Sequence, residues 1–582
     1  MRLNFQCENL KTGELYRFFL SHEDFKSHVK LDSETQSCYL NLGDKLSDWV
    51  VTSQVNTESI YEEIIKGDPG RLRNLHSEIG STKRQKEVLF GNLAWRIALR
   101  FARTTAQLSL INPEDFLLHS LQILKMRIEV PFSTFDSYSH LQSVEMEFLI
   151  DQLAVASYFK APISVEIKLD SPTEAYQKSQ NVPNPTRKFY IGLQKLLAPM
   201  SRKNKYSISS SYLGRIEETL LNLSLYQTPH FNELRPELDG PIRQFHKTLF
   251  LQGSNSLYEC ASLVYQILLP YSLAEGFDQT LARAHSLGFP VEPKLVFTAN
   301  SFDSDDEFKA HLASALPGAK YVVAQHGVGY GVSKNRSLCP EMRASDYFLS
   351  WGWASEDQRV LPFGLVKPIS ALQKTFRKRD PKKRGVTILL RPDSFSFYLG
   401  IDMDYLNDVY LNKIVDLCKH LDKLGVQTVI RPHHTMSPNT RVKLKQEICG
   451  LTNIYLPDKS PSLKKVVRAN QGLVFTYDST GMLEMSALRQ TFFAFLPEDL
   501  DLINDKFKIN YEALRDAGLL SDSPIQAASL IADWVNSDSA KQIKYLHGIE
   551  EFSCGIVRTE RHRVSRLRKL LISSLNSQER TT

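Results

Sequence analysis

Cysteine is scarce in this sequence, and its few cysteines are widely spaced. Seven occur in 582 residues, and none forms the close pairs that zinc sites and redox motifs require. An odd, scattered set also argues against the disulfide framework of a small secreted domain. We therefore interpret these residues as reduced thiols of a cytoplasmic protein.

Long apolar runs are also missing. The first residues, MRLNFQCENLKTGELYRFF, are too polar for a signal-peptide core, and the most apolar stretch, residues 261–274, is interrupted by Ser, Tyr, Gln and Pro. We expect a soluble cytoplasmic chain that is neither exported nor membrane-spanning. Peripheral contact with the inner face of the cytoplasmic membrane stays open.

Neither sign of charge dominates the chain. The net charge of +6 results from 71 Lys and Arg against 65 Asp and Glu, without the dense basic stripe of a nucleic-acid-binding protein. An anionic small substrate or a membrane surface suits this balance better. Metal-site motifs are lacking too, since Asp402 and Asp404 have only the spacing of an Asp-x-Asp motif. We expect no nucleic-acid partner, no metal and no cofactor.

The sequence has two regions that differ in the spacing of their apolar residues. In residues 1–290, apolar residues recur at helical spacing, as in NLAWRIALRFARTTAQLSL, and predict a mainly helical region with a polar surface loop at residues 171–188. From Lys294 onward, short apolar runs such as KLVFTANSF, KYVVAQHG and DYFLSWGW alternate with helical patterns. This alternation predicts a parallel α/β sheet within residues 291–384.

A second α/β series occupies residues 385–545. The runs GVTILLR, VQTVIRPHH, TNIYLPD, GLVFTYDST and TFFAFLP are separated by helical patterns, as in a doubly wound nucleotide-binding domain. The basic stretch of residues 374–384 before it is interpreted as a linker, with contact to phosphate or anionic lipid as the alternative. The basic tail of residues 546–582 is interpreted as a helix that braces the other domain, with membrane-surface attachment as the alternative.

Polar residues crowd at the ends of the predicted strands, where open α/β sheets bind their ligands. Four such clusters follow one another along the chain: Gln325-His326-Gly327, Arg391-Pro392-Asp393, Arg431-Pro432-His433-His434 and Tyr477-Asp478-Ser479-Thr480-Gly481.

The last cluster has the form of a phosphate site. A helix that begins after Ser479 and Thr480 would present unpaired backbone N–H groups and the positive end of its dipole. Gly481 would let a ligand approach, and Glu484, one turn later, could accept hydrogen bonds from ribose hydroxyls. The alternative is an ordinary capped helix with a glutamate in its first turn.

Arginine and histidine dominate the other clusters. Arg431 can hold a phosphate or carboxylate through two hydrogen bonds, and His433 can donate one to a phosphoryl oxygen or a nucleotide. His326 is our candidate for orienting or deprotonating an acceptor hydroxyl, with contact to a donor phosphate or carboxylate, or a packing role, as alternatives. The acidic loop SFDSDDEF is interpreted as a solvated helix start. SWGW could stack on a base or seal a domain interface.

These motifs resemble a family of bacterial O-antigen and surface-polysaccharide transferases. The resemblance rests on AQHGVGYG, SWGW, LLRPDSFSFY, IRPHHT and YDSTGMLEMSA, in that order, and covers residues 295–497. More distantly, the order of QHG, RPH and a Ser-Thr-Gly helix start is similar to capsule-type Kdo transferases and polyol-phosphate transferases. One difference is that His434 stands where the Kdo-type pattern has proline.

The resemblance implies a GT-B-like α/β fold, with two Rossmann-like domains facing a cleft and a largely helical N-terminal region on the acceptor side. It implies a metal-independent glycosyltransferase that moves a CMP-activated ulosonic acid to a lipopolysaccharide, O-antigen or capsule acceptor. His326 would be catalytic. The resemblance assigns donor binding to Arg431, His433, Ser479, Thr480 and Gly481. Our further donor-binding candidates, from the strand-end clusters and the helix start, are Gln325, Gly327, Arg391 and Glu484.

Two other functions remain open at this point. Polyol-phosphate transfer, of the CDP-glycerol type, would use the same fold but carry the phosphate along with the transferred group. A non-catalytic partner in glycan assembly would bind the nucleotide without turnover.

Overall fold

The computed structural model describes most of the chain. The described ranges are 4–12, 14–20, 36–42, 46–67, 82–118, 124–172, 185–229, 246–334, 339–369, 385–392, 403–459, 472–497 and 500–579, with a few isolated positions between them. Residues 375–384 of the basic stretch, residues 173–184 of the polar loop, Asp393 and Asp402 lie outside these ranges.

The N-terminal region combines long helices with short strands. Its elements, in chain order, are β1 (Asn4–Asn9), β2 (Leu15–Phe19), β3 (Gln36–Tyr39), α1 (Leu46–Lys66), α2 (Lys83–Leu108), β4 (Phe116–Leu118), β5 (Leu124–Glu129), α3 (Thr134–Leu141), α4 (Val144–Tyr158), β6 (Ile163–Asp170), α5 (Pro185–Ser201), β7 (Tyr206–Ser209), α6 (Arg215–Ser224), β8 (His246–Gly253), α7 (Leu257–Leu268) and α8 (Phe277–Ser286).

Helix α2 is the central element of this region. The helix begins with a capping box. The Thr82 hydroxyl accepts a hydrogen bond from the Gln85 backbone amide, and the Gln85 side chain accepts one from the Thr82 backbone amide. Almost every side chain after the first turn is buried, including a row of arginines that each meet a carboxylate. The pairs are Arg96 with Asp303, Arg100 with Glu147 and Arg103 with Asp151.

Two small sheets complete the N-terminal region, in the orders β3-β2-β1-β4 and β5-β6-β8. The sequence patterns predicted a mainly helical region, and the described helices do outweigh the strands. However, the strands here are short and polar on one side, so their period of two is weak in the sequence.

A parallel sheet forms the first large α/β unit. Its further elements are β9 (Leu295–Thr298), α9 (Asp306–Ala315), β10 (Lys320–Ala324), α10 (Pro340–Ala344), β11 (Tyr347–Ser350) and β12 (Val360–Pro362). The described strands lie in the order β12-β11-β10-β9-β7. Strand β7 pairs with β9, from Tyr206 opposite Leu295 to Ser209 opposite Thr298. Strand β7, which precedes residue 290, therefore belongs to the same sheet as the strands that follow it.

The second α/β unit has the classical doubly wound order. Its elements are β13 (Val386–Leu389), α11 (Met403–Lys423), β14 (Thr428–Arg431), α12 (Pro438–Glu447), β15 (Ile454–Tyr455), β16 (Gly472–Phe475), α13 (Thr480–Ala487), β17 (Phe493–Phe495), α14 (Asp505–Ala517), β18 (Leu520–Ser521) and α15 (Pro524–Val535). The described strands lie in the order β15-β14-β13-β16-β17-β18, all parallel. Numbered within the unit, this is 3-2-1-4-5-6, and the order reverses between β13 and β16, where such folds bind ligands.

The last two helices connect the units. Helix α16 (Ser539–Ser553) packs on α14, and the chain then crosses back, where the Arg558 amide donates to the Trp351 carbonyl at 2.9 Å. Helix α17 (Arg563–Glu579) buries Leu567 and Leu571 in a hydrophobic core that it shares with the parallel sheet of the first large α/β unit. The tail is therefore the bracing helix, and its apolar face is used inside the protein.

Two Rossmann-like units thus face each other across a cleft, and the C-terminal helix returns to the first unit. This is the GT-B arrangement, so the predicted fold class is confirmed. No described helix is both long and apolar enough to cross a bilayer.

Candidate active site

The two units meet where the QHG loop after β10 reaches the start of α13. The Val328 amide donates to the Thr480 hydroxyl at 3.2 Å. A Cβ on Gly327 would lie 3.4 Å from the same oxygen, so the loop and the helix are nearly in contact. The structure therefore brings together two of the four predicted clusters, which lie about 150 residues apart in the sequence.

Ser479 is the N-cap residue of α13, but its hydroxyl does not cap the helix. Its backbone is extended, as a cap requires, yet the side chain makes no capping hydrogen bond. Ser479 is 4% exposed, and its buried hydroxyl has no hydrogen-bond partner among the described residues. A buried hydroxyl without a partner carries a desolvation cost of about 1–3 kcal/mol, which a ligand oxygen would remove.

The other predicted residues of this helix start are occupied by protein contacts. The Thr480 hydroxyl accepts from Val328, and a Cβ on Gly481 would lie 2.6 Å from the Phe475 ring. Gly481 is therefore needed for packing, whereas the sequence suggested a path for the ligand. Glu484 forms an ion pair with Lys367 at 2.6 Å across the cleft. That pair holds the carboxylate that we expected to contact ribose.

Asp478 adds an ionisable group beside Ser479. It is buried after β16 and accepts a hydrogen bond from the Tyr511 hydroxyl at 2.9 Å. Burial raises the pKa of Asp478 to about 6, although the bond from Tyr511 acts in the opposite direction. A carboxyl with this pKa is protonated far more readily than a surface aspartate, which favours an anionic ligand nearby.

His326 lies in the QHG loop of the first unit, two residues before the Val328 amide that contacts α13. Its Nδ1 lies 3.1 Å from the Tyr330 hydroxyl, which in turn donates to the buried Glu341 carboxylate at 2.6 Å. Because a phenol has one proton and gives it to Glu341, its oxygen accepts from His326 Nδ1. This chain assigns the proton of the neutral ring to Nδ1 and leaves the lone pair on Nε2.

A second carboxylate stands near the His326 ring. Asp303 accepts from the Tyr138 hydroxyl at 3.1 Å and pairs with Arg96 at 3.2 Å. Burial acts to raise the pKa of Asp303, but the positive charges of Arg96 and Lys309, with smaller contributions from Tyr138 and His326, outweigh it and lower the pKa. The loop SFDSDDEF, interpreted as a solvated helix start, is therefore largely built into the protein.

Gln325 holds the turn and does not reach into the cleft. Its Oε1 accepts from the Trp351 amide at 2.8 Å and from the Trp353 indole at 2.9 Å, while its Nε2 donates to the Gly327 carbonyl at 2.7 Å. Both tryptophans are buried. They brace the strand ends, so the stacking role that SWGW suggested does not fit this arrangement.

Arg391 lies at the switch point but is turned inward. It is 4% exposed, lies over the Tyr410 ring at 4.0 Å and donates to the Leu406 carbonyl at 3.2 Å and the Asn407 side chain at 3.3 Å. The guanidinium therefore fixes the start of α11 to the sheet. Direct contact with a donor carboxylate would require this residue to turn outward.

Arg431 and His433 follow β14 at the same edge of the sheet. Arg431 pairs with Leu389 in register, and Leu389 pairs with Phe475, so two strand spacings, about 10 Å, separate Arg431 from β16. Burial lowers the pKa of Arg431. His433 accepts at Nδ1 from the Thr435 amide at 3.3 Å, which places its own proton on Nε2.

Several residues at the cleft were not identified from the sequence: Tyr330, Glu341, Lys367 and Tyr212. Tyr212 lies 6.2 Å from His326, ring centre to ring centre, in a loop where it and Ser210 have φ values of 61° and 43°. Non-glycine residues in this left-handed region are strained and concentrate at functional sites. Only Tyr330 had a local signal, since it lies within the glycine-rich loop VGYG.

No metal site emerges from the described part of the chain, where no three His, Cys, Asp or Glu side chains come together as ligands. His433 and His434 have ring centres 4.2 Å apart, without a carboxylate to complete such a set.

Solved structures with a similar arrangement include sugar-nucleotide enzymes, all at low identity. A Staphylococcus aureus MnaA–UDP complex is 10% identical, with 64% of this chain and 97% of that chain covered and a TM-score of 0.37. UDP-GlcNAc 2-epimerase from Neisseria meningitidis bound to UDP-GlcNAc is 10% identical, with 78% of this chain and 100% of that chain covered and a TM-score of 0.32. Medicago truncatula UGT71G1 complexed with UDP-glucose is 11% identical, with 82% of this chain and 95% of that chain covered and a TM-score of 0.22.

No curated protein sequence matches the chain significantly. A family match is more informative. Residues 134–537, well over half of the chain and including both strand-end clusters at the cleft, match the family described as LIC12162 family transferase. The chain therefore belongs to the LIC12162 transferase family.

Proposed function

We propose that this transferase moves a sugar from a nucleotide-sugar donor to a glycan acceptor, and that the donor phosphate binds at the start of α13. The observation that carries the proposal is the Ser479 hydroxyl, buried and unpartnered among the described residues at a helix N-terminus. Helix amides and the helix dipole stabilise a phosphate there, and Ser479 adds a donor that no described protein group uses.

The loop around His326 supports a role in acceptor activation. The chain from Glu341 through Tyr330 orients the ring with Nε2 as its basic atom. In the proposed reaction an acceptor hydroxyl attacks the anomeric carbon, its proton passes to His326 Nε2, and the bond from the sugar to the nucleotide phosphate breaks. The new phosphate charge stays at the α13 amides, with Arg431, about two strand spacings away, as a proposed cation.

We further propose a CMP-activated ulosonic acid, such as Kdo or a nonulosonate, as the donor, and a lipopolysaccharide, O-antigen or capsule glycan as the acceptor. A CMP donor carries one phosphate, which suits a single helix start without a metal. Gln325, Gly327 and Thr480 would position the two loops, and Glu484, held by Lys367, would close the cleft over the nucleotide. Peripheral contact at the inner face of the cytoplasmic membrane would supply a lipid-linked acceptor.

Thermal-shift measurements with CMP-, CDP-, UDP- and GDP-sugars test the donor proposal. A ligand that binds the folded state raises the Tm, and we expect the CMP-sugar to raise it most. Product analysis then shows whether phosphorus stays with the nucleotide, as glycosyl transfer requires, or moves with the transferred group. If no nucleotide raises the Tm, the proposed site is wrong.

The variant Ser479→Ala separates a ligand-binding hydroxyl from a structural cap. Removal of a helix cap costs about 1 kcal/mol of stability, whereas removal of an unsatisfied buried hydroxyl should leave the Tm unchanged or higher. We expect unchanged stability together with about tenfold weaker donor binding. Ser565→Ala, at an exposed serine of α17, is the control. A lower Tm with full donor affinity would contradict the assignment.

His326→Ala tests the acceptor side separately. We expect it to reduce kcat by about 100-fold or more while donor binding persists, because His326 acts on the proton of the acceptor. Equal turnover by this variant and the wild type would exclude His326 as the base.

A further inference from the structure

Helix α6 presents an apolar stripe to the outside of the first unit. Ile216, Leu220 and Leu223 lie on one face, at spacings of four and three residues, and Tyr226 extends the row just beyond the helix; they are 77%, 52%, 55% and 91% exposed. We call these four residues the α6 stripe. The opposite side of the helix is packed in the core, so the stripe is not needed to hold α6 in place.

Both carboxylates of α6 are engaged with the protein, since Glu217 accepts from Arg563 at 2.8 Å and Glu218 accepts from the Ser211 hydroxyl. The arginine that neutralises Glu217 comes from α17, which packs beside α6. Arg563 therefore neutralises the charge of Glu217.

Exposed cations lie at both ends of the stripe. Arg215 begins α6, and the loop before β7 carries Arg202, Lys203 and Lys205, all exposed. Two hydrogen bonds fix that loop to the end of α6, from the Asn204 side chain to the Thr228 carbonyl at 2.8 Å and from the Lys205 amide to the Gln227 side chain at 2.7 Å. Since the loop is held there, its lysines lie beside the C-terminal end of the stripe.

We propose that the α6 stripe, with its flanking cations, docks the protein on an anionic lipid bilayer. An amphipathic helix of this kind lies in the plane of the interface, with its apolar side chains among the acyl chains and its cations at the headgroups. The cations favour an anionic membrane, because a neutral apolar partner would gain nothing from them. The sequence suggested the basic tail for this role, but α17 uses its leucines in the core.

Helix α6 lies near the cleft, so docking through the α6 stripe would bring the cleft near the membrane. The helix begins three residues after Tyr212, whose ring lies 6.2 Å from His326. With α6 flat on the bilayer, the mouth of the cleft lies close to the headgroups, where a lipid-linked acceptor would present its sugar. This last step rests on the proposed function, whereas the docking itself does not.

Vesicle co-sedimentation of the full chain, without donor or acceptor, tests the docking alone. We expect binding to phosphatidylcholine vesicles that contain phosphatidylglycerol, weaker binding to phosphatidylcholine alone, and a decrease with added salt. The double variant Leu220→Ser/Leu223→Ser should weaken binding about tenfold or more, because each exposed leucine would lose its burial in the interface. Lys203→Glu/Lys205→Glu should remove the preference for anionic vesicles.

Ile509→Ser/Ile543→Ser is the matched control, since these isoleucines are 71% and 70% exposed on the second unit. It should bind vesicles like the wild type, and all variants should keep the wild-type Tm. Equal binding by the wild type and the leucine variant would overturn the proposal, as would no binding to either vesicle. A wild-type dimer that the leucine variant converts to a monomer, without vesicle binding, would show that the stripe binds a second copy instead.

Discussion

Among single residues, Asp478 couples the stability of the protein to pH. Burial raises the pKa of Asp478 from 3.8 to about 6, so between these values the folded state holds a proton that the unfolded state has released. The free energy of unfolding therefore falls as the pH rises through this window, by an amount on the order of 3 kcal/mol. At pH values above this window, the full decrease in the free energy of unfolding remains.

Asp478→Asn should remove this dependence while an amide oxygen still accepts from Tyr511. We expect the variant to gain stability relative to the wild type as the pH rises from about 4 to 7. Urea unfolding across this range measures the difference. Asp522→Asn, at an exposed aspartate, should show no such trend. Parallel pH curves for Asp478→Asn and the wild type would rule out the linkage.

Gly481 is defined by a contact that the sequence does not reveal. A Cβ there would lie 2.6 Å from the Phe475 ring, so Gly481→Ala should destabilise the protein by about 1–3 kcal/mol through overpacking. The matched change Gly192→Ala, in α5, meets nothing within 4 Å and should stabilise the helix by up to about 1 kcal/mol. Equilibrium unfolding compares the two, and equal stabilities would contradict the packing argument.

Tyr330→Phe tests the hydrogen-bond chain to His326. The phenylalanine keeps the ring contact with Phe348, at 5.3 Å, but breaks the link to Glu341. We expect kcat to fall by about tenfold or more, with an altered pH profile and little change in the donor KM. Tyr265→Phe, at a buried tyrosine of α7, controls for loss of a hydroxyl. Unchanged kinetics would show that the chain is structural only.

At the scale of elements, the C-terminal helix stabilises the first large α/β unit, which precedes the second unit in the chain. Leu567 and Leu571 of α17 are fully buried against residues of the first sheet, and Arg563 and Arg568 bind Glu217 and the Ser224 carbonyl of α6. Its arginines are therefore used inside the protein. The alternation of Arg and Leu that suggested a membrane helix is also what a bracing helix needs.

Leu567→Ala/Leu571→Ala should destabilise the first unit strongly. Each truncation of a buried leucine costs about 2–5 kcal/mol. Thermal unfolding, followed by circular dichroism, measures the loss of stability. Leu424→Ala, at a half-exposed leucine of the second unit, should change the Tm little. A similar Tm for both variants would show that α17 does not support the fold.

At the scale of the whole molecule, the proposed site is assembled from two units, with the QHG loop on one and the start of α13 on the other. Charge on the leaving phosphate would be stabilised by helix amides and cations. We therefore expect that transfer activity survives EDTA and is not increased by Mg²⁺ or Mn²⁺. A loss of turnover on chelation, with recovery on adding a divalent ion, would contradict this mechanism.

The sequence by itself determined the second unit and most of the first large sheet. The runs GVTILLR, VQTVIRPHH, TNIYLPD, GLVFTYDST and TFFAFLP correspond to β13, β14, β15, β16 and β17, because buried parallel strands are short continuous apolar runs with a clear pattern. It also placed the polar clusters at the strand ends, since the carboxyl edge follows directly from strand direction.

Only the tertiary structure decided what these side chains contact. The pairing of β7 with β9 spans a long stretch of chain, so no local pattern could place Tyr212 near His326. The same holds for the contacts of Gln325 with Trp351, of Arg391 with α11 and of Glu484 with Lys367, because these partners lie far from them in the sequence. Ser479 is the opposite case: the sequence identified it as a helix start, but only packing showed its hydroxyl to be buried without a described partner. Local pattern fixes secondary structure, whereas burial and partners depend on residues far away in the chain.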